Sequence, residues 1–206
     1  MANLILIRHG ESEWNQKGLW TGWMDIKLSE KGKEESRNAG EKLKGFSIDI
    51  AYTSPLIRAK QTLTEIKNVL GLTNLQIFEN KALNERNYGI YTGKNKWQIK
   101  KEVGKTKFKQ IRRGWNSPIG EGETLKDVYN RVVPYYKTEI LPKLKEGKNI
   151  LILAHGNSLR ALVKYLENMS EGEVENLEIA TGEIYIYSLN EQGTIFSKEV
   201  KSTKIN

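Results

Sequence analysis

Two apolar runs without alternation constrain this chain more than anything else in it: NLILI at 3–7 and NILILA at 149–154. A strand with one wet face alternates apolar and polar residues, so an unbroken run predicts burial on both faces. Such strands need helices above and below a mainly parallel sheet, and the intervening sequence supplies them. A helix is predicted over 28–45, capped by Ser29 and stopped near Gly45, with a thin apolar stripe. A second strand is predicted at 48–54, followed by a helix with Ser54 as N-cap and Pro55 in its first turn. Leu56, Ala59, Leu63, Ile66 and Leu70 share one side of that helix, and Gly71 ends it. A short third strand is predicted at 75–78. Leu125, Val128, Val132, Tyr136, Ile140 and Leu144 keep helical spacing through 123–145, with a kink or break expected at Pro134 and Pro142. Leu159, Leu162, Val163 and Leu166 mark a helix directly after 149–154, and strands at 183–189 and 194–200 form a closing pair. The alternation predicts an α/β fold, a three-layer α/β/α sandwich with a mainly parallel central sheet.

A chain of 206 residues, 38 % hydrophobic and 28 % charged, can bury one substantial core. No repeat, low-complexity tract or linker divides it, so one domain over 1–206 is expected. The absence of cysteine removes disulfides, thiolate metal sites and cysteine nucleophiles. The N-terminal apolar run is too short for a secretory signal, and nothing approaches the roughly 20 apolar residues of a membrane helix. A cytoplasmic protein is expected.

The charge is concentrated. Residues 94–113 carry nine basic side chains against one acid, Glu102, which equals the whole chain's excess of +8. Such a run is ordinarily a solvated face, but a positive field of this kind also suits anionic substrates or nucleic acid.

The two long apolar strands end alike, in LILIRHGES and ILILAHGNS, and these hold the only two histidines, His9 and His155. In an α/β sheet the ligand site lies beyond the carboxyl ends of the strands. If the two strands are parallel neighbours, both imidazoles enter one crevice, and the small and polar residues after them leave backbone N–H groups open to a phosphate. Either histidine alone would read as an ordinary strand-end residue. Sharing one context, they point to phosphoryl chemistry, in which a neutral imidazole attacks phosphorus and cations hold the transferring group. Arg8 is adjacent, and Arg58 lies one turn into the helix after the second strand. Glu85, in LNERNYG, is a candidate acid and base.

These residues resemble the histidine phosphatase superfamily and, within it, the cofactor-dependent phosphoglycerate mutases. LIRHGESEWN, WTGWMDIKLSEKG, YTSPLIRAKQT, LNERNYG, GKNK, RRG, AHGNSLRALVKYLE and a later TG occur in family order across nearly the whole chain. The resemblance implies a single phosphoglycerate mutase-like domain that interconverts 3-phosphoglycerate and 2-phosphoglycerate. Its cofactor would be 2,3-bisphosphoglycerate, with no metal. His9 would be the phosphorylated nucleophile, with Arg8, Arg58 and His155 around the transferring group and Glu85 as general acid and base. Asn15, Thr21, Gly22, Gly156 and Asn157 would contribute phosphate and hydroxyl contacts. Arg86, Tyr88, Lys96, Arg112 and Arg113 would hold the substrate's carboxylate or distal phosphate.

The chain departs from longer mutases in three places. Only WNSPIGEGETL stands between RRG and the following helix, GIYTG replaces the more usual GxLQG, and a short KSTKIN follows Val200. The first and last of these regions cover the pocket or build interfaces in longer members, so a monomer or weak homo-oligomer is expected. A small phosphorylated substrate is the expected partner, with neither nucleic acid nor membrane. Two rival functions stay open on sequence. A phosphatase for small phosphate esters needs the same catalytic residues but has no use for a second anion clamp. A non-catalytic anion or nucleic-acid binder could use the basic stretch with Trp97, Phe108 and Trp115, but leaves the paired histidines unexplained.

Overall fold

The computed structural model describes residues 1–202, and the last residues of the short end after Val200 lie outside them. The elements in chain order begin with β1 (Ala2–Arg8), α1 (Glu13–Gln16), α2 (Glu30–Lys42), β2 (Ile50–Thr53) and α3 (Ile57–Leu70). There follow β3 (Gln76–Glu79), α4 (Lys96–Arg113), α5 (Leu125–Tyr135), α6 (Leu141–Lys145) and β4 (Ile150–Ala154). The chain continues with α7 (Gly156–Leu166), α8 (Glu171–Asn176), β5 (Ile184–Leu189) and β6 (Ile195–Lys201). One sheet runs in the order β3-β2-β4-β1-β5-β6. The first four strands in that order pair in parallel, and β5 and β6 are antiparallel.

The apolar runs behave as their pattern requires. On one face Leu4, Leu6, Ile150 and Ile152 pack with Leu125, Val128 and Val132 of α5 and Leu159, Leu162 and Val163 of α7. On the other, Ile5, Ile7, Leu151 and Leu153 pack with Ala39 and Leu43 of α2 and Ala59, Leu63 and Ile66 of α3. Each fully buried aliphatic side chain contributes roughly 1.5–3 kcal/mol, so the aliphatic positions of β1 and β4 are stabilised whichever way they point. The result is the expected three-layer sandwich.

The thin stripe of α2 has a packing reason. Its buried residues are small, Gly32, Ser36, Ala39 and Gly40, apart from Glu35, whose carboxylate accepts the Glu11 N–H. A Cβ on Gly40 would lie 2.8 Å from Val69 on α3. The two helices sit too close for larger groups. In 123–145 the expected break is a π-helical turn, Tyr136–Ile140, between α5 and α6. It follows Pro134, whose missing N–H removes a rung from the helical ladder. The third strand is shifted by one residue and forms an exposed sheet edge.

The Ser54 cap is a correction: α3 starts at Ile57, with Leu56 in the N-cap position and no side-chain cap. Ser54 stands before the helix, its hydroxyl bonded both to the Leu56 N–H and to His155 Nε2. The basic stretch forms α4, broken at Gly104 (φ 77°, ψ 167°). Its Ile99, Phe108 and Ile111 bury against Trp20 and Tyr88, which leaves most of its lysines in water and brings its two ends over the carboxyl edge of the sheet.

Candidate active site

Parallel register sets Arg8 opposite Ala154, so His9 and His155 leave adjacent strands side by side. Their ring centroids lie 4.9 Å apart, and both residues are buried. The glycine after His9 is required by space. A Cβ on Gly10 would lie 2.1 Å from the Gly32 carbonyl oxygen, and one on Gly32 would lie 1.9 Å from that of Glu11. The turn therefore seats backbone against backbone at the start of α2.

Hydrogen bonds fix the tautomer of His9. Its Nδ1 lies 2.6 Å from the Gly10 carbonyl, which can only accept, so Nδ1 carries the proton and Nε2 the lone pair. Arg58 Nε donates to that lone pair at 3.3 Å. Arg58 is itself anchored, donating to the carbonyls of Met24 at 2.9 Å and Gly22 at 2.8 Å. Burial, then Arg58 and Arg8, hold the His9 imidazole well below its ordinary value, against the Gly10 carbonyl. His155 is lowered likewise, by burial first and then by Arg58, His9 and Arg8. Two neutral imidazoles result. Burial brings Arg58 down to about 10, which leaves it a cation at neutral pH.

Glu85 meets the start of α7. Its Oε1 accepts from the Asn157 backbone N–H at 3.1 Å, from Asn157 Nδ2 at 2.9 Å and from the Arg86 N–H at 2.8 Å. Burial pushes the carboxyl up, but those donors with Arg8 and Arg58 outweigh it and hold the group below the usual carboxylate range. Arg131 fixes the segment that carries it, donating to the carbonyls of Ala82, Asn84 and Glu85 while paired with Glu123.

Among the described residues six cations line the cleft, Arg8, Arg58, Lys96, Arg112, Arg113 and Arg160, against two carboxylates, Glu85 and Glu178. Arg8 Nε, Thr21 Oγ1 and Arg160 Nε are buried there with no hydrogen-bond partner. Donors without acceptors, backed by excess positive charge, make a site for an anion carrying several oxygens.

The histidine phosphatase superfamily (branch 1) model matches residues 4–200. The chain belongs to the histidine phosphatase superfamily. A 2,3-bisphosphoglycerate-dependent phosphoglycerate mutase of Chelativorans sp. is 50 % identical over 201 residues, covering 97 % of this chain and 98 % of its own. One from Parvibaculum lavamentivorans is 46 % identical over 199 residues, covering 96 % and 95 %. Among solved structures, YhfR of Bacillus stearothermophilus superposes with a TM-score of 0.83 at 24 % identity over 95 % of each chain, a likeness of fold alone.

In this member of the superfamily, Asn15, Thr21, Gly22, Tyr88, Lys96, Arg112, Arg113, Gly156 and Asn157 all line the same cleft as His9, Arg8, Arg58 and Glu85. Some do work other than that implied by resemblance. The Gly22 carbonyl holds Arg58, and the Asn157 N–H expected to meet phosphate is taken by Glu85. Tyr88 Oη accepts from Asn157 Nδ2 at 2.9 Å. Arg86 does not reach the cleft. It is fully buried, donates to the carbonyls of Ile111 and Arg112 and stacks on the Tyr88 ring, so it fastens the end of α4 from behind.

Lys96, at the other end of α4, is pushed down to about 8 by burial and then by Arg8 and Arg112. No residue of 115–125 lines the cleft. That short segment packs on 87–90, where a Cβ on Gly89 would lie 2.0 Å from the Gly120 carbonyl.

Four contributors escaped the sequence reading. Arg160 donates to Asn157 Oδ1 at 2.8 Å and to the Val174 carbonyl at 2.6 Å, and burial with Arg113 and Arg86 brings it down to about 9. Its spacing three residues after Asn157 on one helix is a signal that could have found it. Ser54, Arg131 and Glu178 reach the site only through long-range contacts, which no local spacing announces.

Proposed function

We propose that this protein interconverts 3-phosphoglycerate and 2-phosphoglycerate through a phosphohistidine on His9. The observation that carries the reading is the presence of two cationic sets in one cleft. Arg8 and Arg58 flank the paired histidines, and Lys96, Arg112 and Arg113 form a second set that a simple ester phosphatase does not need. Bound 2,3-bisphosphoglycerate supplies the phosphoryl group that charges His9. The partnerless donors of Arg8, Thr21 and His155, with the two cationic sets, fit such a group, one phosphate at the histidines and the other anionic end at Lys96, Arg112 and Arg113.

The chemistry follows from these positions. His9 Nε2 attacks phosphorus with its free lone pair, and the bond from phosphorus to the substrate oxygen breaks. Arg58 Nε, released from Nε2, turns its N–H to a phosphoryl oxygen, and Arg8 takes another. Glu85 delivers a proton to the departing oxygen. In the return step it accepts the proton of the attacking hydroxyl while the N–P bond breaks and its electron pair goes back to Nε2. An anion that neutralises Arg8 and Arg58 removes two of the influences holding Glu85 ionised, so ligand binding itself readies the carboxyl to carry a proton.

The test supplies 3-phosphoglycerate with a catalytic amount of 2,3-bisphosphoglycerate. Appearance of 2-phosphoglycerate, and loss of acid-labile protein phosphate in His9→Ala, are the expected results. Release of inorganic phosphate with no 2-phosphoglycerate would overturn the reading in favour of a phosphatase.

A further inference from the structure

The loop between α8 and β5 brings a carboxylate to the anion clamp. Glu178 Oε1 lies 2.6 Å from Arg113 Nη2 and 3.3 Å from Arg112 Nη2. Of the two acids lining the cleft, Glu85 is engaged by N–H groups of Arg86 and Asn157, whereas the ion pairs of Glu178 are with these two arginines.

The loop does not need this side chain to place its neighbours. The Leu177 carbonyl accepts from Arg113 Nη1 at 2.9 Å, and the Ile179 carbonyl accepts from Arg8 Nη1 at 2.6 Å. Backbone on either side of Glu178 thus fixes the guanidinia of Arg113 and Arg8, while that of Arg112 meets the Glu178 carboxylate. Its own side chain is 62 % exposed, against 16 % for Arg113. An exposed ion pair is weak, so the carboxylate leaves for water at little cost.

We propose that Glu178 is a specificity-determining residue, a tethered competitor for the carboxylate of the substrate at Arg112 and Arg113. The inference rests on the reading of those arginines as the second anion clamp. In the empty enzyme one carboxylate already answers the two guanidinia, and a phosphoglycerate binds there by displacing it. A ligand that uses only the histidine end displaces nothing. Glu178 therefore lowers affinity for two-headed anions while leaving single phosphates nearly untouched.

The experiment compares wild type, Glu178→Gln and Glu178→Ala by calorimetric titration with 3-phosphoglycerate and with inorganic phosphate, at low and high salt. Both variants are expected to bind 3-phosphoglycerate about threefold to tenfold tighter at low salt, with a smaller change for inorganic phosphate. Equal or weaker binding of 3-phosphoglycerate in both variants would overturn the proposal and leave Glu178 as a mere support for the arginines. Conversion of 3-phosphoglycerate by the wild type is followed in parallel. Its absence, with tighter binding by the variants retained, would fault the mutase reading and spare the role of Glu178. No binding of 3-phosphoglycerate by any of the three proteins would overturn both.

Discussion

Ser54 Oγ lies 2.6 Å from His155 Nε2 and accepts the Leu56 backbone N–H at 3.3 Å. Among the described hydrogen bonds the hydroxyl has no other acceptor for its proton, so it donates to Nε2. His155 then carries its ring proton on Nδ1, a buried atom with no partner of its own. A phosphoryl group on His9 gives that proton an acceptor. Ser54→Ala is expected to slow phosphorylation of His9 by about tenfold to a hundredfold, somewhat less than outright removal of a transition-state donor. With only two histidines in the chain, a long-range proton–nitrogen spectrum reads the tautomer directly. An unchanged His155 pattern in Ser54→Ala would show that Ser54 does not set it.

The paired histidines give stability a definite pH dependence. Both are held neutral in the folded protein, well below the ordinary 6.5, by burial and by Arg58. The unfolded chain takes up protons near 6.5 that the native state refuses. Stability from this source is complete above that pH and is lost as pH falls through it, at up to roughly 1.4 kcal/mol per pH unit for each histidine. Urea titrations between pH 7.5 and 5.5 are expected to show that slope, and His9→Gln to reduce it by about half. A flat profile would mean that the histidines charge in place.

Lys96 titrates nearer to physiological pH. Held at about 8 by burial, Arg8 and Arg112, it is a cation at pH 7 and loses that charge above 8. The KM for 3-phosphoglycerate is expected to rise as pH passes about 8, with a smaller change for a monoanchored ester such as p-nitrophenyl phosphate. Lys96→Arg should move that rise out of the accessible range. An identical KM profile in the variant would assign the effect to another group.

Arg112 and Arg113 separate the mutase from a phosphatase. Each charge-assisted hydrogen bond they offer is worth about 1.5–3 kcal/mol. Arg112→Ala combined with Arg113→Ala is expected to lower kcat/KM for 3-phosphoglycerate by about a hundredfold or more. Hydrolysis of p-nitrophenyl phosphate should fall far less. Equal losses on both substrates would mean that these arginines do not discriminate.

The strand-end histidines, Arg8 and the sandwich itself were legible because each rests on local pattern. Unbroken apolar runs state double burial, and a shared HG after each run states a shared edge. Arg58 and Glu85 were candidates by position after the second and third strands, and the mutase-like motifs gave them roles and added Lys96, Arg112 and Arg113; all five line the cleft. Arg86 was assigned to substrate because it sits inside LNERNYG. Its side chain turns the other way because the carbonyls at the end of α4 need a donor. Ser54 carries a strong N-cap signature, and its oxygen does accept the Leu56 N–H, but its proton goes to a buried imidazole 101 residues away and the helix itself begins only at Ile57.

By itself the sequence determined which strands are covered on both faces, where the crevice opens and which residue types meet phosphorus there. Periodicity and burial act over a few residues, so they are written in order along the chain. The tertiary structure decided which donors are already spent and which remain for a ligand. It gave the Asn157 N–H to Glu85, the Ser54 hydroxyl to His155 and the Glu178 carboxylate to the clamp at Arg112 and Arg113. A hydrogen bond is allotted by distance in space, and residues far apart in the chain contend for it only once the sheet has brought them together.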